Sequence, residues 1–390
     1  MTARWLAMCC VALAATSPVA AQSSQFGIRG LGHPGRWTSA RALGVGGSVG
    51  LFDGTSSQNP AALALLTTVT SMFTSSTSWR EVENPAGSAS LRSTRFPQIL
   101  VGGRVGRTPL ALSFSYSTYA DRDFTTASSG TLSPRGIPVA FTDTLTSRGG
   151  ISDLRLAGGW QLTPRIAVGA GVHFLTGSNR LNTRRVFEDS LFIPALQRAE
   201  LAYQAIGVSA GVLVTPTAGL SLAGAVRKDG ALSIERDSAA AGDVDLPLTL
   251  MGGARFRVRS RIDLSAQVSH RGWDVADSGL RANGAVGARS TIDVSGGIEL
   301  INDPRRPGDR PIRIGVRYAT LPFLLADTDQ PSEWGVSIGS GLRFRPGTDS
   351  RDVGGIDVAL ERIQRSQGST YSESAWILSV GLSIFTGGTP

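Results

Sequence analysis

Ser374-Ala375-Trp376-Ile377-Leu378-Ser379-Val380-Gly381-Leu382-Ser383-Ile384-Phe385 is the stretch that decides the fold. Trp376, Leu378, Val380, Leu382 and Ile384 alternate with Ile377, Ser379, Gly381, Ser383 and Phe385. Successive side chains of a strand point to opposite faces, so one face is greasy and the other small or polar. The pattern recurs where Ile312, Ile314, Val316 and Tyr318 oppose Arg313, Gly315 and Arg317. It recurs again where Ile166, Val168, Ala170, Val172 and Phe174 oppose Ala167, Gly169, Gly171 and His173.

Working outward from these segments, strands are expected near 67–80, 96–106, 109–120, 150–161, 165–178, 200–214, 218–228, 246–258, 261–271, 285–301, 311–320, 333–345, 352–363 and 374–385. Their connections alternate. Those at Arg107-Thr108-Pro109, Thr163-Pro164, Thr215-Pro216-Thr217 and Arg259-Ser260-Arg261 are tight, and those at 301–311 and 346–352 somewhat longer. Between them fall long stretches at 81–95, 121–149, 179–199, 229–245, 272–284, 321–332 and 364–373. Fourteen antiparallel strands with two unlike ends define an all-β fold, a 14-stranded transmembrane β-barrel with both chain ends on the short-turn side.

Composition agrees. Hydrophobic residues make up 41% of the 390 and charged residues only 17%, yet no window holds the roughly 18 consecutive apolar residues of a membrane-spanning helix. Lipid-facing strands produce that combination, because only alternate residues touch lipid. Aromatic placement suggests two interfacial girdles. Trp79, Trp273, Trp334, Trp376, Tyr116, Tyr119, Tyr203 and Tyr318 fall at the long-loop ends of strands, and Trp160, Phe256, Phe344 and Phe385 at the short-turn ends.

Residues 1–21 read as a signal peptide: Arg4, the apolar run Trp5–Ala15, and Val19-Ala20-Ala21 before Gln22. Both cysteines, Cys9 and Cys10, leave with it, so neither disulfide nor thiolate metal site is expected. The formal net charge of +8 is spread through turns and alternate strand positions rather than gathered on one face, which argues against nucleic acid. The expected place is the outer membrane of a Gram-negative-type cell.

Residues 22–66 differ from the barrel at 67–390. They are rich in Gly and Ser, too polar to face lipid and too long for a tail, so they are expected to fold into the lumen as a plug. Here a resemblance enters. Arg41-Ala42-Leu43-Gly44-Val45-Gly46-Gly47, then Asp53, then Asn59-Pro60-Ala61 just ahead of the first strand resembles the long-chain fatty-acid transporter (FadL-like) family. The family tends to end on an aromatic residue, whereas Phe385 is followed by Thr-Gly-Gly-Thr-Pro. The resemblance implies a channel for hydrophobic small molecules such as fatty acids or aromatic hydrocarbons, captured on external loops and passed by an N-terminal hatch. Gly44, Gly46, Gly47, Asn59 and Pro60 would form the hatch or gate. Outer-membrane lipids, lipopolysaccharide and the barrel-assembly machinery are the further partners implied. The competing reading is a scaffold barrel that presents or anchors secreted proteins without transport.

The loop at 179–199 is unusually apolar for an external loop. Phe187, Leu191, Phe192, Ile193 and Leu196 are candidates for hydrophobic capture, with Arg184 and Arg185 beside them for a carboxylate head group. The i,i+4 spacings of Phe187 with Leu191 and Phe192 with Leu196 suggest a short amphipathic helix. Lumen-facing positions include Arg104, Asp153, Arg155, Arg255, Asp263, Gln267, Asp293, Glu299, Arg313, Arg317, Arg343, Asp357 and Glu361. Of these, Arg155, Arg313, Arg317 and Glu361 are the candidates either for an ion-pair network around the plug or for drawing an anion inward. His33, His173 and His270 lack metal-ligand spacing, and no nucleophile elbow accompanies them, so neither cofactor nor enzyme activity is expected. Asp327-Thr328-Asp329 offers two carboxylates, too few for calcium.

Overall fold

The structure, a computed structural model, describes residues 24–85, 87–133, 136–282, 287–326, 329–346 and 351–386. The signal segment and Asp327-Thr328 lie outside the described residues.

Fourteen strands close into one antiparallel barrel: β1 Val69–Asn84, β2 Gly87–Arg104, β3 Leu110–Asp121, β4 Val139–Thr163, β5 Ile166–Phe187, β6 Ala195–Thr217 and β7 Leu220–Asp229, then β8 Leu248–Val258, β9 Ile262–Arg271, β10 Thr291–Leu300, β11 Ile312–Thr320, β12 Ser332–Phe344, β13 Gly354–Gln367 and β14 Tyr371–Thr386. Each pairs with its sequence neighbour, and β14 returns to β1 with Thr386 opposite Val69 and Ser372 opposite Glu83. The alternation read from sequence sets the two faces. On β11, Ile312, Ile314, Val316 and Tyr318 point outward and are half exposed, while Arg313 is buried inside. Outward apolar side chains recur on every strand, so the outer wall is built for lipid rather than water. Among the described residues no helix is long and apolar enough to cross a membrane.

Three expectations about the ends need correction. The long loops are largely continued strands. β4, β5 and β6 run 25, 22 and 23 residues, about 75 Å at some 3.3 Å per residue, well beyond a bilayer. Segments Phe124–Leu132 and Leu232–Arg236 widen this projection by pairing onto β4 and β6, and Ala239–Val244 pairs in turn onto Leu232–Arg236. The helix expected near 187–196 is absent: β5 pairs with β6 as far as Arg185 opposite Ala195, which leaves too few residues for one. The outer girdle is also smaller than expected. Trp79, Trp334, Trp376 and Tyr318 face outward, but Trp273, Tyr119 and Tyr203 are buried inside.

Residues 24–66 pack against the inward face of the wall. Helix α1 (Ala40–Leu43), capped by Ser39 accepting from the Ala42 amide, lies on β12–β14. The 3-10 turn Pro60–Leu65 lies on β4–β6. Leu51, Phe52, Ala61 and Ala64 join Ala167, Leu213, Ala223 and Met251 of the wall in one apolar cluster. At the long-loop end a second cluster joins Leu31 and Trp37 to Tyr119, Leu175, Tyr203, Trp273, Leu280 and Phe323.

Candidate functional site

Beside this second cluster, with Trp37 and Trp273 in its lining, is a cavity of about 200 Å³. Segment 33–38 floors it. Leu43, Trp37, Trp273, Leu321, Pro322, Ile363 and Ile377 supply apolar surface, and Arg36, Arg80, Arg95, Arg271, Arg317 and Arg365 a basic fringe. Asp121, Asp293, Glu333 and Glu361 are the carboxylates on the same wall.

The fringe is tied together by ion pairs. Glu373 takes Arg80 at 3.5 Å and Arg365, Arg365 also reaches Glu333, and Glu333 holds Arg317, which pairs with Asp293 at 2.8 Å. This chain crosses strands β1, β14, β13, β12, β11 and β10. Glu373 also accepts from Ser24 Oγ at 2.8 Å and the Gln25 amide at 3.0 Å, fastening the start of the inner segment. Lower in the lumen Arg313 pairs with Glu299 at 3.0 Å and Asp357 at 2.8 Å, and Arg41 of α1 also reaches Glu299 at 3.0 Å. Glu361 accepts from Arg36 at 2.6 Å.

Trp37 is the centre of the floor. It adopts φ 55°, rare for a non-glycine residue, with its ring between two guanidinium groups, Arg271 at 4.3 Å and Arg227 at 4.5 Å. It stacks on Tyr119 at 5.8 Å. The indole nitrogens of Trp37 and Trp273 are buried without a protein partner. Arg271 donates to the Gly35 carbonyl at 3.1 Å and makes no ion pair among the described residues.

Sequence reasoning missed the support behind Arg227. Its Nε donates to both Asp229 oxygens at 2.9 Å and its Nη1 to Asp153 Oδ2 at 2.6 Å. Asp153 also receives His173 Nδ1 at 3.0 Å, and His173 Nε2 meets Ser209 Oγ at 2.9 Å. With Nδ1–H on the carboxylate, the neutral ring leaves Nε2 to accept the Ser209 hydroxyl proton. The connectivity is that of a hydrolytic triad, but none of the three lines the cavity, and Arg227 already occupies the carboxylate. Arg155 is buried beside them, with Nε and Nη2 unpartnered.

The hatch candidates meet wall glycines. Gly46 (φ 70°) sits where a Cβ would lie 2.7 Å from the Val316 carbonyl oxygen. Asn59 caps the turn at 60–65 by accepting from the Ala61 amide at 3.0 Å, donates to the Leu51 carbonyl at 2.9 Å, and fills the space beside Gly211. Gly44 packs against Gly339, and Pro60 against Gly169.

The loop candidates are only partly gathered. Phe187 and Phe192 stack at 5.3 Å, and Phe141 meets Phe187 at 6.5 Å. Leu191 and Ile193 are 86% and 87% exposed, and Leu196 is exposed with them. Arg185 is occupied: it grips Asp143 through two bonds of 2.7 and 2.6 Å, which hold that carboxyl below its ordinary range, and covers the Phe141 ring at 4.1 Å. Arg184 is exposed and makes no ion pair among the described residues. No group of three or more His, Cys, Asp and Glu fit to hold a metal occurs among the described residues.

The wall beside the cavity is interrupted. β2 pairs with β3 only from Gln98 opposite Ser117 to Arg104 opposite Ala111, and β1 slips register on β2 between Thr74 and Ser76. Pro97, which has no N–H to give, marks the parting. Above it His33 and Pro34 take up the free edge of β3, opposite Asp121 and Ala120, and the Gly35 amide donates to the Tyr119 carbonyl at 2.8 Å. Ser76, Ser93, Arg95, Pro97 and Thr118 at this seam line the cavity.

A lipid-faced, fourteen-stranded barrel with an occupied lumen and an aromatic-floored cavity defines a class by its architecture, that of closed β-barrels filled by their own N-terminal segment. No family model matches the chain, and no curated protein matches it in sequence. Solved structures do. A Pseudomonas aeruginosa FadL homologue superposes with a TM-score of 0.63 at 14% identity, over 89% of this chain and 98% of that one. The P. putida toluene transporter TodX gives 0.55 at 15%, over 90% and 99%. The monoaromatic hydrocarbon channel CymD gives 0.55 at 14%, over 90% and 98%. The chain has the fold of the FadL-like outer-membrane channels.

Proposed function

We propose that this protein is an outer-membrane channel for hydrophobic small molecules, fatty acids or aromatic hydrocarbons in size and character. The observation that carries the reading is the cavity over Trp37, apolar on its floor, basic at its fringe and continuous with the parted seam between β2 and β3. A barrel serving only as a scaffold has no use for such a cavity. Residues 24–66 act as the hatch. Ligand collects on the apolar tip around Leu191, Phe192 and Ile193, descends to Trp37, and leaves when segment 33–38 lets go of β3. Release at that seam delivers a hydrophobic molecule sideways into lipid without crossing water. The structural relatives are named as a FadL homologue, a monoaromatic hydrocarbon channel and a toluene transporter, which agrees with this substrate class.

The test is titration of the refolded barrel with a fluorescent fatty acid and with naphthalene. Saturable binding of either, lost in Trp37→Ala together with Trp273→Ala, supports the channel. No binding of either probe favours the scaffold reading.

A further inference from the structure

The short-turn end of the barrel carries an unusual set of arginines. Arg107 follows β2, Arg165 joins β4 to β5, Arg259 and Arg261 join β8 to β9, and Arg305 and Arg310 join β10 to β11. All six are exposed, and none makes a salt bridge among the described residues. The carboxylates described at this end are already engaged: Asp309 and Asp352 pair with Arg345 at 3.5 and 2.7 Å, and Asp303 accepts the Arg305 amide at 2.9 Å. At the opposite end some exposed arginines find carboxylates, as Arg180 does Glu200, Arg236 does Asp237 and Arg281 does Asp277, while others, Arg184 and Arg198 among them, make no salt bridge among the described residues.

A second observation is independent of charge. Arg259 and Arg310 adopt φ 63° and 52°. A glycine there would avoid the steric cost of the left-handed region, so a long cationic side chain is held where the backbone favours none. Depth supplies the third. Val105, Leu162, Phe256 and Ile312 are outward and exposed, two or three residues from Arg107, Arg165, Arg259 and Arg310. At about 3.3 Å per residue the Cα atoms of these arginines lie at most about 7–10 Å along the chain from the last lipid-facing residue, within reach of head-group phosphates for a long side chain.

We infer that this rim binds anionic phospholipid head groups of the leaflet it faces, each phosphate taken by one of these arginines in the forked geometry a guanidinium offers. The arginines are distributed over four turns around more than half the circumference, which suits a plane of lipid and not a protein docked on one arc. The inference rests on the membrane-spanning reading.

The experiment is electron spin resonance of the barrel in phosphatidylcholine vesicles containing spin-labelled phosphatidylglycerol or spin-labelled phosphatidylcholine. The expected result is preferential immobilisation of phosphatidylglycerol, about fivefold per arginine contact. It should fall towards parity in Arg107→Gln/Arg165→Gln/Arg259→Gly/Arg261→Gln and at about 1 M salt. It should weaken but not disappear when the same four positions are Lys, which keeps the charge and loses the fork, and so separates both from folding. Parity in the natural sequence, or a preference that survives the four substitutions, overturns the inference. If neither labelled lipid is immobilised, the barrel is not embedded, and the membrane reading falls together with the inference.

Discussion

Gly46 and Gly315 share one space: a Cβ on Gly315 would overlap the Gly46 amide nitrogen. The inner segment therefore seats its backbone directly on β11. Gly315→Leu should keep the barrel strands and dislodge the segment, since overpacking that forces the backbone to shift costs about 1–3 kcal/mol or more. Ion conductance in a planar bilayer should rise above that of the natural sequence. Gly296→Leu, one residue from Gly297 on the lipid face where no close neighbour opposes a side chain, should leave conductance alone. Equal conductance in both would mean that the wall gives way instead of the segment.

The Arg227 cluster predicts a large, local stability loss. Its guanidinium bridges Asp153 and Asp229 in the buried wall, so Arg227→Met leaves two carboxylates without their cation. The expected cost is about 3–5 kcal/mol. Arg180 and Glu200 lie 3.5 Å apart and are both exposed, so Arg180→Met should cost under about 1 kcal/mol. Urea unfolding in vesicles compares the two, and similar losses would refute the distinction.

Loop 273–290 carries its own pH dependence. Asp274 accepts the Ser290 amide at 2.9 Å and its hydroxyl, and Asp277 takes Arg281 at 2.8 Å and the Ala288 amide at 2.7 Å. Hydrogen bonding to Ser290 holds the Asp274 carboxyl below its usual range, and that to Arg281 does the same for Asp277. A carboxyl depressed in the folded state contributes stability above its unfolded value and loses it as pH falls through the folded one. Protection from amide exchange across 273–282, measured relative to the intrinsic rate at each pH, should stay high at neutral pH and fall as pH drops through the ordinary carboxylate range and below it. In Asp274→Asn/Asp277→Asn that protection should be low and independent of pH.

Much of the fold was legible because a closed barrel leaves a period-two signature in every strand. The misplaced aromatics show what reading by strand end overlooks. Tyr119 shares the phase of inward Ser115 and Ser117, and Tyr203 that of inward Ala205, so alternation alone assigns both to the lumen. The segment at 187–196 misled for a different reason: an i,i+4 apolar pair also occurs in two strands joined by a short loop. Asp153, His173 and Ser209 were beyond reach of the sequence. They stand 20 and 36 residues apart, and only the register of β4, β5 and β6 brings them into line.

The apolar tip and the Trp37 cavity should be separable by kinetics. Leu191 and Ile193 make few contacts of their own, so a ligand gains by covering them and the barrel loses little if they change. Burying a leucine side chain is worth about 1.5–3 kcal/mol, and 1.4 kcal/mol is a factor of ten. Leu191→Asp/Phe192→Asp should therefore slow stopped-flow association of a fluorescent fatty acid about tenfold while equilibrium occupancy of the cavity changes much less. Trp37→Ala should do the reverse, because the cavity floor sets how long ligand stays. If the tip variant associates at the natural rate, capture happens elsewhere, and the exposed Leu191 and Ile193 have no part in it.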